Sequence, residues 1–110
     1  MPARQFEIFD PDFSHFAWDE TKRTSNIGKH GIDFSDILPA FNNPMARMRS
    51  DRNDEIRYLV IGDANGWQIA IAYKEGAYKE EDGKVCRIIS ARKANRSERA
   101  QYRALYARGN

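Results

Sequence analysis

The stretch RIISARKANRSERAQYR, residues 87–103, predicts a buried strand that passes directly into a basic helix. Its two adjacent isoleucines suit a pleated, packed strand, which we place at Arg87 to Ser90. Asn95 is followed three residues later by Glu98, and this spacing is typical of a capping box at the start of a helix. We therefore expect the helix to begin near Arg96.

The predicted helix has one cationic face and one packing face. Arg96, Arg99 and Arg103 recur at steps of three and four residues, which places them on one side of a helix. The packing residues lean toward another side: Tyr102, Leu105 and Tyr106. Arg92 precedes the helix, at the point where the strand reaches the surface.

Charge is unevenly distributed along the chain. Residues 84–110 hold eight Lys and Arg against one Glu, whereas the first 83 residues hold ten Lys and Arg against fifteen Asp and Glu. A basic segment on an otherwise acidic chain indicates a local binding surface for phosphates or for an acidic partner. A solvated helix face without a ligand is the alternative.

Length and composition favour one domain. With 110 residues, 41% of them hydrophobic, the chain is long enough for one core and too short for two ordinary domains, so we predict a single domain over residues 1–110. Residues 1–14 show no steady period. We interpret them as an N-terminal arm of uncertain order that precedes a folded domain at residues 15–107.

The same features predict a cytoplasmic protein with no membrane partner. No apolar run approaches the roughly 20 residues of a membrane span, and residues 1–16 lack the pattern of a signal peptide. Cys86 is the only cysteine, which excludes an internal disulfide. A lone cysteine in a strand is typical of a small buried hydrophobic residue.

Two helices are predicted after a short strand at Phe16 to Trp18. Asp19 is a suitable N-cap for a helix from about Glu20 to Lys29, and Gly31 is a natural end. The second helix carries apolar residues at i, i+3, i+4 and i+7: Phe34, Ile37, Leu38 and Phe41. Pro39 interrupts this helix and predicts a kink or a 3₁₀-like turn.

Four strands are predicted in the second half: Met45 to Arg49, Glu55 to Ile61, Gln68 to Tyr73 and Lys84 to Ser90. Gly62 to Gly66 contains the Asn-Gly pair of a hairpin turn, and Lys74 to Gly83 is hydrophilic enough to predict a long exposed loop. Strands joined by such loops pair antiparallel. The sequence therefore predicts an α+β fold: a short N-terminal strand, two helices, a three- to four-stranded antiparallel meander and a C-terminal helix, with the helices on one face.

The usual signatures of cofactor and metal sites are missing from the sequence. There is no glycine-rich phosphate loop, no cysteine pair that could hold zinc, and the two histidines, His15 and His30, are separated by a predicted strand and helix. We therefore expect neither a cofactor nor a metal site.

The remaining polar residues could cleave RNA without a metal ion. Such cleavage needs a base for the 2′-OH, cations for the charge on the phosphate and a proton donor for the leaving oxygen. His30 or Glu55 could be the base, and Arg57 and Arg92 could supply the cations. Structural roles are the alternatives: His30 beside Gly31 can cap a helix, and Glu55 can form an ion pair with Arg57.

Four separated motifs occur in order between Phe16 and about Tyr106: W-D-x-x-K, N-x-x-K-H-G-x-x-F, E-x-R-x-x-x-I-G and R-I-I-S-A-R-x-A-x-x-x-E-x-x-x-Y. Together they resemble the BrnT family, the toxin half of a bacterial type II toxin–antitoxin system. The resemblance implies a RelE-like fold, metal-independent cleavage of RNA that inhibits translation, and neutralisation by a BrnA-type antitoxin.

The resemblance also implies which residues carry the activity. The expected catalytic residues are His30, Glu55, Arg57 and Arg92. The expected RNA contacts are Lys29, Arg87 and Tyr102, and the cationic face of the predicted helix adds Arg96 and Arg99. Packing in the helical core is the favoured alternative for Tyr102, and the choice of base between His30 and Glu55 stays open.

The expected partners follow from the same resemblance. RNA is the substrate, the antitoxin forms a toxin–antitoxin heterotetramer through its own dimer, and operator DNA is bound only through the antitoxin. The alternative from another functional class is a non-catalytic module that binds nucleic acid or a partner in operon repression.

Overall fold

The computed structural model describes residues 5–77 and 84–108, and these residues form one mixed six-stranded sheet with three helices. The strands are β1 (Glu7–Phe9), β2 (His15–Trp18), β3 (Met45–Arg49), β4 (Tyr58–Ala64), β5 (Trp67–Ala77) and β6 (Lys84–Lys93). The helices are α1 (Glu20–His30), the 3₁₀ helix η1 (Phe34–Asn42) and α2 (Arg96–Arg108). The strand order in the sheet is β1-β3-β4-β5-β6-β2.

The predicted meander forms the centre of the sheet. β3, β4, β5 and β6 pair antiparallel in sequence order. Asn65 and Gly66, with φ of 55° and 86°, join β4 to β5 in the left-handed conformation that a tight hairpin turn requires. The predicted α+β class, antiparallel meander and C-terminal helix are confirmed.

Both edges of the sheet are strands from the N-terminal part of the chain. β2 pairs parallel with β6, and β1 pairs antiparallel with β3. Phe6, just before β1, is buried against the sheet, whereas Ile8 is exposed. β1 lies in the segment interpreted as an arm, and its three residues are too few to show a strand period in the sequence.

Local capping signals set both ends of α1. The Asp19 carboxylate accepts hydrogen bonds from two backbone N–H groups of the first turn, at 2.7 and 3.3 Å. Gly31 adopts φ 69°, and its N–H donates to the carbonyl of Ile27 at 2.8 Å. The predicted cap residues are therefore confirmed, and the helix continues one residue further than predicted, to His30.

The second predicted helix is wound as a 3₁₀ helix over its whole length. Pro39 lies inside it and has no N–H to donate, so it interrupts the hydrogen-bond ladder of a regular α-helix. Phe34, Ile37 and Phe41 of the apolar stripe are buried, and Leu38 packs against them. The predicted irregularity and the predicted packing face are both confirmed.

Several predicted strand boundaries are wrong. β4 ends at Ala64 rather than at Ile61, and β6 ends at Lys93 rather than at Ser90, so Arg92 lies inside the strand. β4 begins at Tyr58 rather than at Glu55, because a tight turn precedes it. β5 continues to Ala77, so the segment from Lys74 to Ala77 pairs with β6 where a loop was expected. The rest of the predicted loop, residues 78–83, lies outside the described residues.

The helices pack on both faces of the sheet, so the prediction of one covered face is wrong. η1 packs on the face that carries Val60 and Ile71. α2 packs on the other face, mainly over β1, β3 and β4, where Ile61 and Ala70 lie. Side chains alternate along a strand, so sequence neighbours serve different cores. We call the second surface of the sheet the α2 face.

A β-bulge in β6 changes which side chains lie on the α2 face. The ladder between β5 and β6 shifts by one residue and leaves Ile89 as the extra residue. Ile88 and Ala91, three positions apart, therefore both lie in the core beneath η1. Arg92 pairs with Ala70 and lies on the α2 face, whereas unbroken alternation would have directed it into that core.

Candidate active site

A tight turn holds the backbone of Glu55 immediately before β4. Asn53 and Asp54 adopt left-handed φ values of 52° and 59°, which Asn and Asp tolerate better than most residues. Arg52 and Glu55 exchange backbone hydrogen bonds of 3.0 and 2.9 Å across this turn. Glu55 is thus fixed although it lies outside a strand.

The Glu55 carboxylate lies between two cations. Its Oε2 accepts from Lys74 Nζ at 2.7 Å, and its Oε1 accepts from Arg57 Nε at 2.8 Å. The Lys74 ammonium, and then the Arg57 guanidinium, hold the pKa of Glu55 below its ordinary value. The carboxylate is therefore ionised at neutral pH.

Arg87 adds a third cation next to Lys74 and Arg57. It opposes Lys74 in the β5–β6 ladder and is exposed. The Cβ atoms of directly opposed residues lie about 4.5–5.5 Å apart on the same face of a sheet. We call Glu55, Arg57, Lys74 and Arg87 the Glu55 cluster.

The start of α2 is built as the sequence predicts. The Glu98 carboxylate accepts from the N–H of Asn95, and the Asn95 side chain accepts from the N–H of Glu98, both at 2.8 Å. The capping box is therefore confirmed, and α2 begins at Arg96.

Arg92 is anchored by the same glutamate. Its two terminal nitrogens donate to the two carboxylate oxygens of Glu98 at 2.7 and 2.9 Å, and this pairing raises the pKa of the guanidinium. Glu98 is 8% exposed, whereas the Arg92 side chain is 38% exposed. Arg92 therefore stabilises the start of α2 and still reaches the surface.

Arg92 and the Glu55 cluster share the α2 face at different positions. Arg92 opposes Ala70, and Lys74 follows four residues later along β5. At about 3.3 Å per residue, the two positions lie about 13 Å apart along the strand. The structure thus brings Glu55 together with Arg57 and places Arg92 at a second position on the same surface.

His30 and Lys29 lie at the margin of this surface. Both are exposed at the end of α1, and together with Ser90 they line a cavity of about 330 Å³ between α1 and β6. Ser90 follows the bulge and lies two residues before Arg92. The predicted catalytic residues are therefore distributed over three neighbouring locations, and His30 lies outside the Glu55 cluster.

Asn26 fixes α1 against the edge of β6. Its side chain donates to the carbonyls of Ile32 and Ala91, both at 2.9 Å, and accepts from the N–H of Ala91 at 3.0 Å. Asn26 is 4% exposed, so these bonds form where water is excluded. This anchor holds the helix end that carries Lys29 and His30 beside β6.

The predicted RNA contacts on α2 have different surroundings. Arg96 and Arg103 are exposed, and Arg99 donates to the carbonyl of Ala94 at 2.8 Å. Tyr102 is buried in the core beneath α2, and burial raises the pKa of its hydroxyl. These observations support the core interpretation of Tyr102 instead of stacking on a base.

Lys74 is a member of the Glu55 cluster that the sequence prediction missed. The hydrophilic composition of residues 74–83 predicts a loop, yet the alternation of Ile69, Ile71 and Tyr73 continues through Lys74. The next residue, Glu75, lies on the opposite side and pairs with Arg47 at 3.6 Å. Continued alternation was the signal that could have placed Lys74 in the strand.

In residues 5–77 and 84–108, no group of three or more His, Cys, Asp and Glu residues could hold a metal ion. In these same ranges, no helix combines the length and apolar character that crossing a membrane demands. Cys86 is buried as predicted, and burial raises the pKa of its thiol.

The fold and the site define a class of protein: a small α+β domain that holds a carboxylate among cations on one face of its sheet, an arrangement suited to a phosphate-bearing substrate. The family model for BrnT, the ribonuclease toxin of a type II toxin–antitoxin system, matches residues 18–98. The chain therefore belongs to the BrnT family. None of the curated proteins compared with the chain matches it.

Family membership gives the function in outline. The family comprises ribonuclease toxins, so it implies RNA as the substrate and an antitoxin protein as the partner. The matched residues include the Glu55 cluster, Arg92 and both residues at the end of α1.

Proposed function

We propose that the protein is a metal-independent endoribonuclease that inhibits translation by cleaving RNA until a BrnA-type antitoxin covers its site. The observation that supports this proposal is the Glu55 cluster, in which one ionised carboxylate lies among cations on an accessible sheet face. A base and several cations near one phosphate meet the main requirements for RNA transesterification without a metal ion.

In the proposed reaction Glu55 is the general base. It takes the proton of a ribose 2′-OH, the 2′-oxygen forms a bond to the adjacent phosphorus, and the bond from phosphorus to the 5′-oxygen breaks. The leaving 5′-oxygen takes a proton from water, which gives a 2′,3′-cyclic phosphate and a 5′-OH. Arg57 and Arg87 stabilise the negative charge on the phosphate oxygens.

The other predicted residues bind RNA around this reaction in the proposal. Arg92, at about 13 Å along the strand, binds a flanking part of the RNA backbone. Lys29 and His30 contact the strand at the margin, and Arg96 and Arg99 extend the cationic surface onto α2. The position of His30 outside the Glu55 cluster favours Glu55 as the base.

The purified protein is expected to cleave a labelled RNA in the presence of excess EDTA, because the proposed chemistry uses only side chains and water. Mass spectrometry of the fragments should show cyclic or 3′-phosphate ends together with 5′-OH ends. Tight binding of the same RNA without cleavage would contradict this proposal and favour a non-catalytic module in operon repression.

The antitoxin complex is expected to be a heterotetramer assembled through an antitoxin dimer, with operator DNA bound only by the antitoxin. The exposed cations Arg87, Arg96 and Arg103 offer a surface on which an acidic antitoxin segment can fold. Light scattering on the copurified complex should give the mass of two toxin and two antitoxin chains. A mass of one chain of each would contradict this assembly.

A further inference from the structure

Lys74 makes the shortest hydrogen bond to the Glu55 carboxylate, with 2.7 Å between Nζ and Oε2. Its position is fixed by strand pairing, because β5 continues beyond Tyr73 and places Lys74 opposite Arg87. Glu75 lies on the other face and pairs with Arg47 there. The pairing of β5 with β6 therefore places Lys74 on the α2 face and in the Glu55 cluster.

A surface ion pair is the simplest interpretation of Lys74 and Glu55, since such pairs are common and contribute little to stability. The surrounding charges argue against this interpretation. Arg57 already pairs with the other oxygen of Glu55, and Arg87 lies directly opposite Lys74. Like charges that oppose one another in a sheet destabilise it. An excess of cations at this point becomes favourable when a phosphate binds.

The Lys74 ammonium has more donors than Glu55 uses. Lysine carries three N–H donors, and one of them is directed to Glu55. The Lys74 side chain is 36% exposed, so the remaining donors can reach a ligand on the α2 face. A phosphate bound beside Glu55 would lie within reach of Lys74 and Arg87 together.

We propose that Lys74 is a further catalytic residue, which holds Glu55 in place and donates its remaining ammonium hydrogens to the scissile phosphate. This inference rests on the proposed function. In the reaction Lys74 neither gains nor loses a proton. It fixes the base and the phosphate relative to one another and stabilises the charge that builds on the phosphate oxygens.

Single-turnover cleavage of a labelled RNA by Lys74→Met and Lys74→Arg variants tests this role. We expect the Lys74→Met variant to cleave RNA about 10²-fold more slowly than the parent, because removing one donor to a developing charge has an effect of that size. The Lys74→Arg variant should recover most of the cleavage rate. Lys84→Met is the matched control, because Lys84 also pairs with a carboxylate, Asp12 at 3.5 Å. It should cleave at the parental rate.

The pH dependence of cleavage separates this role from a structural one. The charged groups around Glu55 are Lys74 from β5, Arg87 from β6, and Asp51, Arg52 and Arg57 from its own segment. Glu55 acts as a base only when deprotonated, so cleavage is lost as the pH falls through its pKa. Lys74 is the largest cause of the lowered pKa of Glu55. The Lys74→Met variant should therefore lose cleavage at a higher pH than the parent, which moves the acid limb of its pH profile upward, whereas Lys74→Arg should not.

Two outcomes would overturn the inference while the proposed function stands. One is parental cleavage, with a parental pH profile, by Lys74→Met. The other is slow cleavage by Lys74→Met with an acid limb at the parental pH and a rate that Lys74→Arg does not recover.

If circular dichroism shows that Lys74→Met does not fold, Lys74→Gln gives the same test, because glutamine keeps a hydrogen-bond donor without the charge. Absence of cleavage by the parent protein would overturn the proposed function itself.

Discussion

Replacing Glu55 with Gln is expected to slow RNA cleavage by about 10²–10⁴-fold, which is the usual contribution of a positioned general base. Glutamine has nearly the same shape and can still accept one hydrogen bond from Lys74 or Arg57, but it cannot take the proton of a 2′-OH. RNA should bind at least as tightly as before, since a negative charge near the phosphate is removed. Single-turnover rates and an RNA-binding titration measure the two effects separately.

Glu75→Gln is the matched control for this substitution. Glu75 is also a glutamate beside an arginine, at 3.6 Å from Arg47, but it lies on the opposite face of the sheet. This variant should cleave at the parental rate. Parental cleavage by Glu55→Gln itself would exclude Glu55 as the base and make His30, in its cavity beside Ser90, the candidate to test next.

The second large effect concerns stability. Asn26→Ala is expected to reduce the free energy of unfolding by about 2–4 kcal/mol, because the N–H and carbonyl of Ala91 and the carbonyl of Ile32 lose their buried partner. Urea unfolding should show a lower midpoint with an unchanged slope. Loosening α1 should also weaken RNA binding through Lys29 and His30.

Thr24→Ala, on the exposed side of the same helix, controls for the higher helix propensity of alanine. Its free energy of unfolding should stay within about 0.5 kcal/mol of the parent. If Asn26→Ala and Thr24→Ala unfolded at the same urea concentration, the amide of Asn26 would not be the anchor of α1.

Sequence predicts those parts of the fold that depend on neighbouring residues. Asp19 and Gly31 cap the two ends of α1, and Asn95 and Glu98 form the capping box of α2. Such caps are predictable because each needs only a side chain and a backbone group within one turn. Pro39 interrupts its helix through the N–H that it lacks. Each of these predictions is confirmed because its cause is local.

The parts that sequence did not predict depend on distant residues. Nothing near Ile89 shows that the β5–β6 ladder shifts there, although this shift decides that Arg92 lies on the α2 face. The hydrophilic side chains near Lys74 hide a strand that is completed only by pairing with β6. The Glu55 cluster is therefore half predictable: Glu55 and Arg57 are close in sequence, and Lys74 joins them through the sheet.

The parallel pairing of β2 with β6 has a consequence for how the protein is made. The two strands come from opposite ends of the chain, about 70 residues apart, and β6 lies between β2 and β5 in the finished sheet. A chain emerges from the ribosome with its N-terminus first, so β2 must wait for β6 before it can pair. β2 can thus join the sheet only after β6, the strand that carries Arg87 and Arg92, is in place. The surface that carries Arg57, Lys74, Arg87 and Arg92 therefore forms only after β6 has left the ribosome, although β3, β4 and β5 are made earlier.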